Sequence, residues 1–352
     1  MAEKKALIAL SGGVDSAVAA LLMQEQGYEL TGVTMRLWPR SRCCDEKDIE
    51  DAAEICARLG IPYTVLDYRE AFRRQVVDVF VAEYQAGRTP NPCARCNQFL
   101  KFDALLAEGE KLGATMLATG HYARLAETSS GTALLRGRDD AKDQSYFLFA
   151  IAAGILPRLR FPVGGMNKDE VRAVARKHGL PVAAKQDSQD ICFVPDGDYR
   201  RFLEDYAGLD MAQEGEMVDS SGQVLGQHPG TLNFTVGQRK GLGGGSDQPR
   251  YVLALDSTRN RVIVGREDEL YRNVVSLAEC NWLADLSPNE THAVTAKLRY
   301  RSRAESATLH LLSDARAELR FPEPQRAVTP GQAAVCYLGE RLLGGGWIQG
   351  TE

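Results

Sequence analysis

Ser11-Gly12-Gly13-Val14-Asp15-Ser16 follows a short apolar run, Ala6-Leu7-Ile8-Ala9-Leu10, and precedes an apolar helical pattern from Ala17 to Gln26. Strand, glycine turn and helix together build an anion site. Glycines let the backbone approach a phosphate, N–H groups converge on it, and the helix N-terminus adds partial positive charge. Ser11 and Ser16 add hydroxyl donors. Asp15 is the unusual member, because a carboxylate beside a phosphate repels it unless a cation such as Mg²⁺ stands between. The stretch reads as a cradle for a nucleotide pyrophosphate. It is not a Walker loop, since no lysine follows the glycines, and the Gly-x-Gly-x-x-Gly dinucleotide fingerprint is absent.

Outward from this loop, strand-like and helix-like segments alternate to about residue 120. Thr31–Leu37 and Pro62–Leu66 read as strands, Asp48–Leu59 as a helix, Ala71–Ala86 and Phe99–Leu112 as amphipathic helices, and Thr115–Ala118 as a strand. Met166–Gly179 reads as one more helix, capped by Asn167 and stopped by Gly179. This is the α/β pattern of a doubly wound parallel sheet, whose ligands bind at the carboxyl ends of the strands, where Ser11, Met35 and Gly120-His121 fall. After about residue 200, short alternating segments between turns take over, as at Val224–Gly226, Tyr251–Leu255 and Arg261–Gly265. Asp285–Asn289 reads as a linker, and strands recur at Ala293–Tyr300, Ala307–Leu312 and Ala333–Leu338, suggesting a small closed β-barrel. The expected organisation is a catalytic domain over 1–200, a small central β domain over 201–275 and a C-terminal β-barrel over 276–352.

The 352 residues include 44% hydrophobic and 25% charged side chains, ordinary for a globular chain, and a net charge of -5 excludes a uniformly basic nucleic-acid coat. The N-terminal apolar run is too short for a signal peptide or spanning helix, so the cytoplasm is the expected compartment. Eight cysteines there point to reactive or metal-binding thiols rather than a disulfide framework. Cys93-Ala94-Arg95-Cys96 follows the stiff approach Thr89-Pro90-Asn91-Pro92, and Arg88, Arg95 and Lys101 would favour thiolate over thiol. Cys192 lies in Asp187-Ser188-Gln189-Asp190-Ile191-Cys192-Phe193. By itself the Cys-x-x-Cys spacing fits half a zinc site or a redox pair equally well. Cys43-Cys44, Cys56, Cys280 and Cys336 read as structural.

Taken in order, these segments resemble one family over nearly the whole chain: the tRNA-specific 2-thiouridylases of the MnmA type. The loop at Ser11 looks like the family's PP-loop, and Met35-Arg36-Leu37-Trp38 like its next strand end. Gly87–Pro92 ending in Cys96-Asn97 looks like its first cysteine motif, and Asp187–Gln189 leading to Ile191–Phe193 like its second. Ala118–Ala123, Lys142–Tyr146, Thr235–Gly243, Leu298–Arg301 and Thr329–Gln332 follow in the family's order. The resemblance implies adenylation by ATP of the 2-carbonyl oxygen of the wobble uridine, then replacement by sulfur carried as a persulfide on Cys192, with Cys96 as partner nucleophile. It implies an ATP site at Ala9, Leu10, Ser11, Gly12, Gly13, Val14, Asp15, Ser16, Met35 and Gly120. It further implies target-base contacts at Asn91, Pro92 and Cys93, and tRNA contacts at His121, Lys142, Asp143, Gln144, Arg299, Tyr300 and Gln332. ATP, Mg²⁺, tRNA and a sulfur-donor or sulfur-relay protein are the implied cofactors and partners.

One departure stands out: some members of the family carry Asp where this chain has Cys93. Cys93, Cys96 and Cys192 would then offer three thiolates to a 4Fe–4S cluster with one open iron, replacing the persulfide cycle. Lys297, Arg299, Arg301 and Arg303 alternate as if along one strand, which would gather their charge on one face for a phosphate backbone. Arg239, Lys240, Arg250, Arg259, Arg261 and Arg266 form a second basic cluster. A different PP-loop ligase or amidotransferase, which needs no cysteine pair, and a non-catalytic tRNA-binding module are the other readings.

Overall fold

A computed structural model describes residues 4–39, 45–185, 191–194, 196–242, 248–288, 290–313 and 315–351. Cys43, Cys44, Gly243 and the Asp187–Asp190 part of the second cysteine motif lie outside the described residues.

The first unit is built on a parallel sheet. Its strands are β1 (Lys5–Ala9), β2 (Glu29–Arg36), β3 (Tyr63–Asp67), β4 (Met116–Ala118) and β7 (Leu159–Arg160), in the order β3-β2-β1-β4-β7. Ala6, Leu7 and Ile8 are sealed between helices on both faces, which is why β1 is continuously apolar. The chain winds outward in one direction from β1 to β3 and in the other through β4. The crevice at the ends of β1 and β4 is therefore the topological switch point, where open α/β sheets bind ligands. Asn167 caps the helix Lys168–Lys177 in a reciprocal box with Glu170, and Gly179 follows at φ 64°.

A four-stranded sheet, ordered β10-β11-β8-β9, follows: β8 (Gly215–Val218), β9 (Val224–His228), β10 (Tyr251–Asp256) and β11 (Arg261–Gly265). The last unit is a six-stranded antiparallel barrel of β12 (Tyr271–Trp282), β13 (Thr291–Lys297), β14 (Glu305–Ser313), β15 (Arg316–Arg326), β16 (Ala333–Leu338) and β17 (Arg341–Thr351). It closes by pairing β12 with β17. Cys336 is fully buried inside it, and burial pushes its thiol well up; Cys280 and Cys56 are pushed up to about 12 by burial, as inert packing thiols should be.

Two features depart from the sequence expectation. The hairpin β5 (Ala123–Thr128) and β6 (Gly131–Arg136) belongs by sequence to the first unit, yet β6 joins the barrel sheet beside β17. The units also share one core: Tyr337, Leu342 and Trp347 of the barrel pack in the same cluster as Phe72, Cys96 and Phe149. The second departure is the basic stripe. β13 ends at Lys297, and Leu298–Ser302 is a turn, so the four cations do not share a strand face. Lys297 is buried, with its ammonium 5.6 Å from the Tyr300 ring. Arg299 turns inward and donates to the Ala327 carbonyl at 2.6 Å and to the Thr329 hydroxyl, while Arg301 and Arg303 stay exposed.

Arg299 therefore anchors the barrel. R299A should cost about 1–3 kcal/mol, because buried acceptors lose their donor, while R301A should stay within about 0.5 kcal/mol of the parent. Urea denaturation of both variants checks this, and a fully stable R299A would contradict the anchoring.

Candidate nucleotide and thiol site

The loop after β1 is folded by its own residues. Ser16 Oγ donates to the Gly13 carbonyl at 3.0 Å and accepts from the Ser11 amide at 3.2 Å. Gly12 has φ 66°, and a β-carbon there would lie 2.4 Å from the Asp48 carbonyl oxygen. Gly13 stands at the N-cap of helix Val14–Glu25 without a side-chain cap, so the first-turn amides keep no side-chain acceptor from that position. Gly120, after β4, lies against the same turn: a β-carbon would come within 2.6 Å of the Ser16 nitrogen. Met35 lies in β2, beside β1, and is buried.

The charges around the cradle were not all visible in sequence. Lys168 places its ammonium 2.8 Å from each oxygen of Asp15, and the Tyr122 hydroxyl donates to the same carboxylate at 2.7 Å. Lys185 donates to the Gly12 carbonyl at 3.0 Å and pairs with Asp48 at 2.6 Å and Asp51 at 2.5 Å. Burial alone would lower the Lys185 pKa, but its two carboxylates carry it upward, so it stays charged. Asp15 is thus neutralised by Lys168. A single carboxylate beside a phosphate cradle also suits Mg²⁺, which binds through one or two carboxylates and the substrate's phosphates.

Several residues expected to meet tRNA also hold the scaffold. Asp143 is buried, pairs with Arg136 at 2.9 Å, and accepts from the amides of Gly137 and Ser145. Gln144 accepts from the Tyr122 amide at 3.0 Å, and Gln332 donates to the carbonyls of Thr89 and Pro90. His121 bonds Thr119 Oγ1 through Nδ1 at 2.7 Å, and its ring packs against both Phe102 and Phe161, which also touch each other. Burial, then the Lys101 charge, pushes its pKa down. Tyr300 packs tilted against Phe147, 4.4 Å between centroids; burial and then the Asp143 charge raise its pKa, against Lys142 and Arg301.

The thiols sit on short elements held by their surroundings. Asn91 caps the helix Pro92–Cys96 by accepting from the Ala94 amide at 3.3 Å, and Pro92 takes the first helical position. Asn91 and Pro92 are buried, Cys93 is exposed, and Cys96 is 5% exposed. A π-helical turn, Asn97–Lys101, follows Cys96, the kind of bulge found at functional sites. Asn97 donates to the Phe147 carbonyl at 3.0 Å, and its buried Oδ1 has no partner among the described residues. Cys192 is half-buried in a turn fixed by Phe193, whose ring packs on Phe72, Phe80 and Trp38. Cys96 lies in the same core as Met35, and Cys192 and Ala9 pack against it. Two cations expected to activate these thiols are committed: Arg88 pairs with Glu83, and Arg95 with Glu279. Among the described residues, no three His, Cys, Asp or Glu side chains gather as metal ligands. Cys93, Cys96 and Cys192 therefore do not fit a cluster site in this arrangement.

Residues 4–196 match the family model of the tRNA methyl transferase HUP domain, 200–266 the tRNA methyl transferase PRC-barrel domain, and 272–348 the aminomethyltransferase beta-barrel domain. A tRNA-specific 2-thiouridylase MnmA of Acidithiobacillus ferrooxidans (strain ATCC 53993 / BNL-5-31) is 95% identical over 352 residues, 100% of both chains. The chain belongs to the MnmA family. Its namesake in Geobacter metallireducens is 48% identical over 99% of this chain and 97% of that one, and the one in Magnetococcus marinus 49% identical over 98% and 99%. A phosphate cradle joined to thiols through one core suits the thiouridylase name better than the methyl transferase wording of the domain models. No helix among the described residues is long and apolar enough to cross a membrane.

Gly120 leaves no room for a side chain against the cradle, so G120A should abolish nucleotide binding, measured by calorimetric titration with ATP, and cost about 1–3 kcal/mol of stability. Tight ATP binding by G120A would refute the close approach. His121 supplies a pH dependence. Its folded pKa lies below the unfolded value of about 6.5, so its contribution is complete above about pH 6.5 and is lost as pH falls below it. H121Q should flatten the acid side of the stability curve. Urea midpoints at about pH 7.5 and about pH 5 test this, with the parent losing more than the variant.

Proposed function

We propose that this chain carries out the ATP-dependent 2-thiolation of the wobble uridine of tRNA in the cytoplasm. The reading is supported above all by one juxtaposition: a phosphate cradle at the sheet's switch point, and thiol-bearing segments that pack in or on the core containing Met35. The uracil 2-carbonyl oxygen is a poor leaving group. It attacks the α-phosphorus of ATP, pyrophosphate departs, and the oxygen becomes part of an adenylate that leaves readily. The amides at Gly12–Asp15 and the Ser11 hydroxyl bind the phosphates, in a loop shaped by the Ser16 hydroxyl. Mg²⁺ bound with the nucleotide offsets negative charge on the pyrophosphate, and Asp15 is the residue that would hold it.

Cys192 carries the sulfur as a persulfide, loaded by a sulfur-donor protein. Its terminal sulfur attacks C2 of the uracil, and AMP leaves. The Cys96 thiolate then attacks the Cys192 sulfur, the S–S bond to the transferred sulfur breaks, and that sulfur remains on C2 as the thiocarbonyl. A Cys96–Cys192 disulfide is left, which a cellular thiol reduces. Exposed Cys93 borders the base, and the exposed cations Arg239, Lys240, Arg301 and Arg303 contact phosphates, giving affinity but no sequence choice. The base must leave its stack to reach both ATP and thiol.

Mass spectrometry of nucleosides from tRNA incubated with the protein, ATP and a persulfide-bearing sulfur donor should detect 2-thiouridine. C96S and C192S should each abolish it while tRNA-dependent pyrophosphate release persists. Full thiolation by either variant would overturn these roles.

A further inference from the structure

We propose that Glu279 of the barrel is a positioning residue for the Cys96 thiol, acting through Arg95. The inference rests on the reading of Cys96 as a reactive thiol. A five-residue helix, Pro92–Cys96, cannot hold its own orientation, because so short a segment is unstable without outside contacts. Arg95 is its one long side chain, next to Cys96, and is bound on two sides. Glu279 takes it in a bidentate pair, 2.7 Å from Nη1 to Oε2 and 3.0 Å from Nη2 to Oε1. The Trp347 ring lies 4.2 Å from the guanidinium carbon. The Arg95 side chain is 15% exposed and that of Glu279 56%, so the guanidinium side of the pair is shielded while the carboxylate faces water.

The barrel bends itself to make this contact. Glu279 has φ 47°, which is costly for a residue with a β-carbon, and lies where the β12–β17 register breaks between Ala278 and Asn281. Asn281, from the same irregularity, donates to the carbonyls of Phe149 at 2.6 Å and Ile151 at 2.8 Å. The irregular segment thus grips the first unit twice. On the other side, Thr89 donates its amide to the Pro330 carbonyl at 2.9 Å, and Gln332 holds the Thr89 and Pro90 carbonyls. The barrel brackets the cysteine helix at both ends, and the Arg95–Glu279 pair is the bracket adjoining Cys96.

The carboxylate has a second effect. It balances the guanidinium charge carried by the residue next to Cys96, so loss of Glu279 would bear on the reactivity of the thiol as well as on its place. The hydrogen bonds from Arg95, and its charge, hold the Glu279 carboxyl below its usual range, keeping it ionised.

The test uses the full-length protein without tRNA or ATP. Alkylation of Cys96 by iodoacetamide is followed across pH by peptide mass spectrometry. E279A frees the helix and uncovers the Arg95 charge, so Cys96 should react faster at neutral pH by about threefold or more, its profile shifted to lower pH. E279Q, which keeps an acceptor but no charge, should fall between E279A and the parent. Cys56 and Cys336 should remain unreactive in all three, reporting an intact fold. A Cys96 profile in E279A that superimposes on the parent's, even with a lower melting temperature, would reduce the pair to a structural tie and overturn the proposal. In a parallel thiolation assay, kcat should fall in E279A with KM for ATP unchanged. Altered alkylation with unchanged thiolation would sink the role of Cys96 and leave the clamp standing.

Discussion

The arrangement of this molecule depends on backbone lying against backbone at the end of its parallel sheet. Gly120 meets the first turn of helix Val14–Glu25, and Gly12 meets the first turn of helix Glu46–Leu59, each with no space for a β-carbon. Such approaches let loops after two different strands share one cradle without side chains filling it. Within the loop the Ser16 hydroxyl bonds inward, to the Gly13 carbonyl and the Ser11 amide, so the loop's own residues fix its shape and little ordering remains for binding to supply.

Charge at the cradle follows the same logic. A carboxylate so near an anion site would oppose its ligand, and the protein answers with Lys168 on Asp15, while Lys185 sits on the carboxylates of Asp48 and Asp51. Both lysines come from the chain after β4, whereas the loop comes after β1. The site therefore exists only when the sheet is complete, and assembling the sheet is the same act as assembling the site.

The sequence disclosed what is local and hid what is distant. The cradle was legible because strand, glycines and helix adjoin one another, and the Lys168–Lys177 helix because Asn167 and Glu170 cap it reciprocally. Lys168 and Lys185 were not legible as partners of the loop, since 153 residues separate Lys168 from Asp15 and 173 separate Lys185 from Gly12. The alternating cations from Lys297 onward mimic a strand, but period two marks a face only while a strand lasts, and this one ends at Lys297. Burial of Asp143 was likewise hidden, because a motif shows that a carboxylate is present and not which way it points.

The union of barrel and first unit gives the last step. The hairpin Ala123–Arg136 leaves the first unit to extend the barrel sheet, Tyr146 donates its hydroxyl to the Ala333 carbonyl, and Glu279 reaches back to Arg95. Contacts run in both directions across a common core, so the barrel cannot shift as an independent clamp without disturbing the Thr89–Cys96 segment. A protein that must hold a thiol-bearing segment in place gains from this arrangement. The cysteine helix Pro92–Cys96 is too short to be rigid, and rigidity comes from a β-barrel whose own strands are fixed by closure.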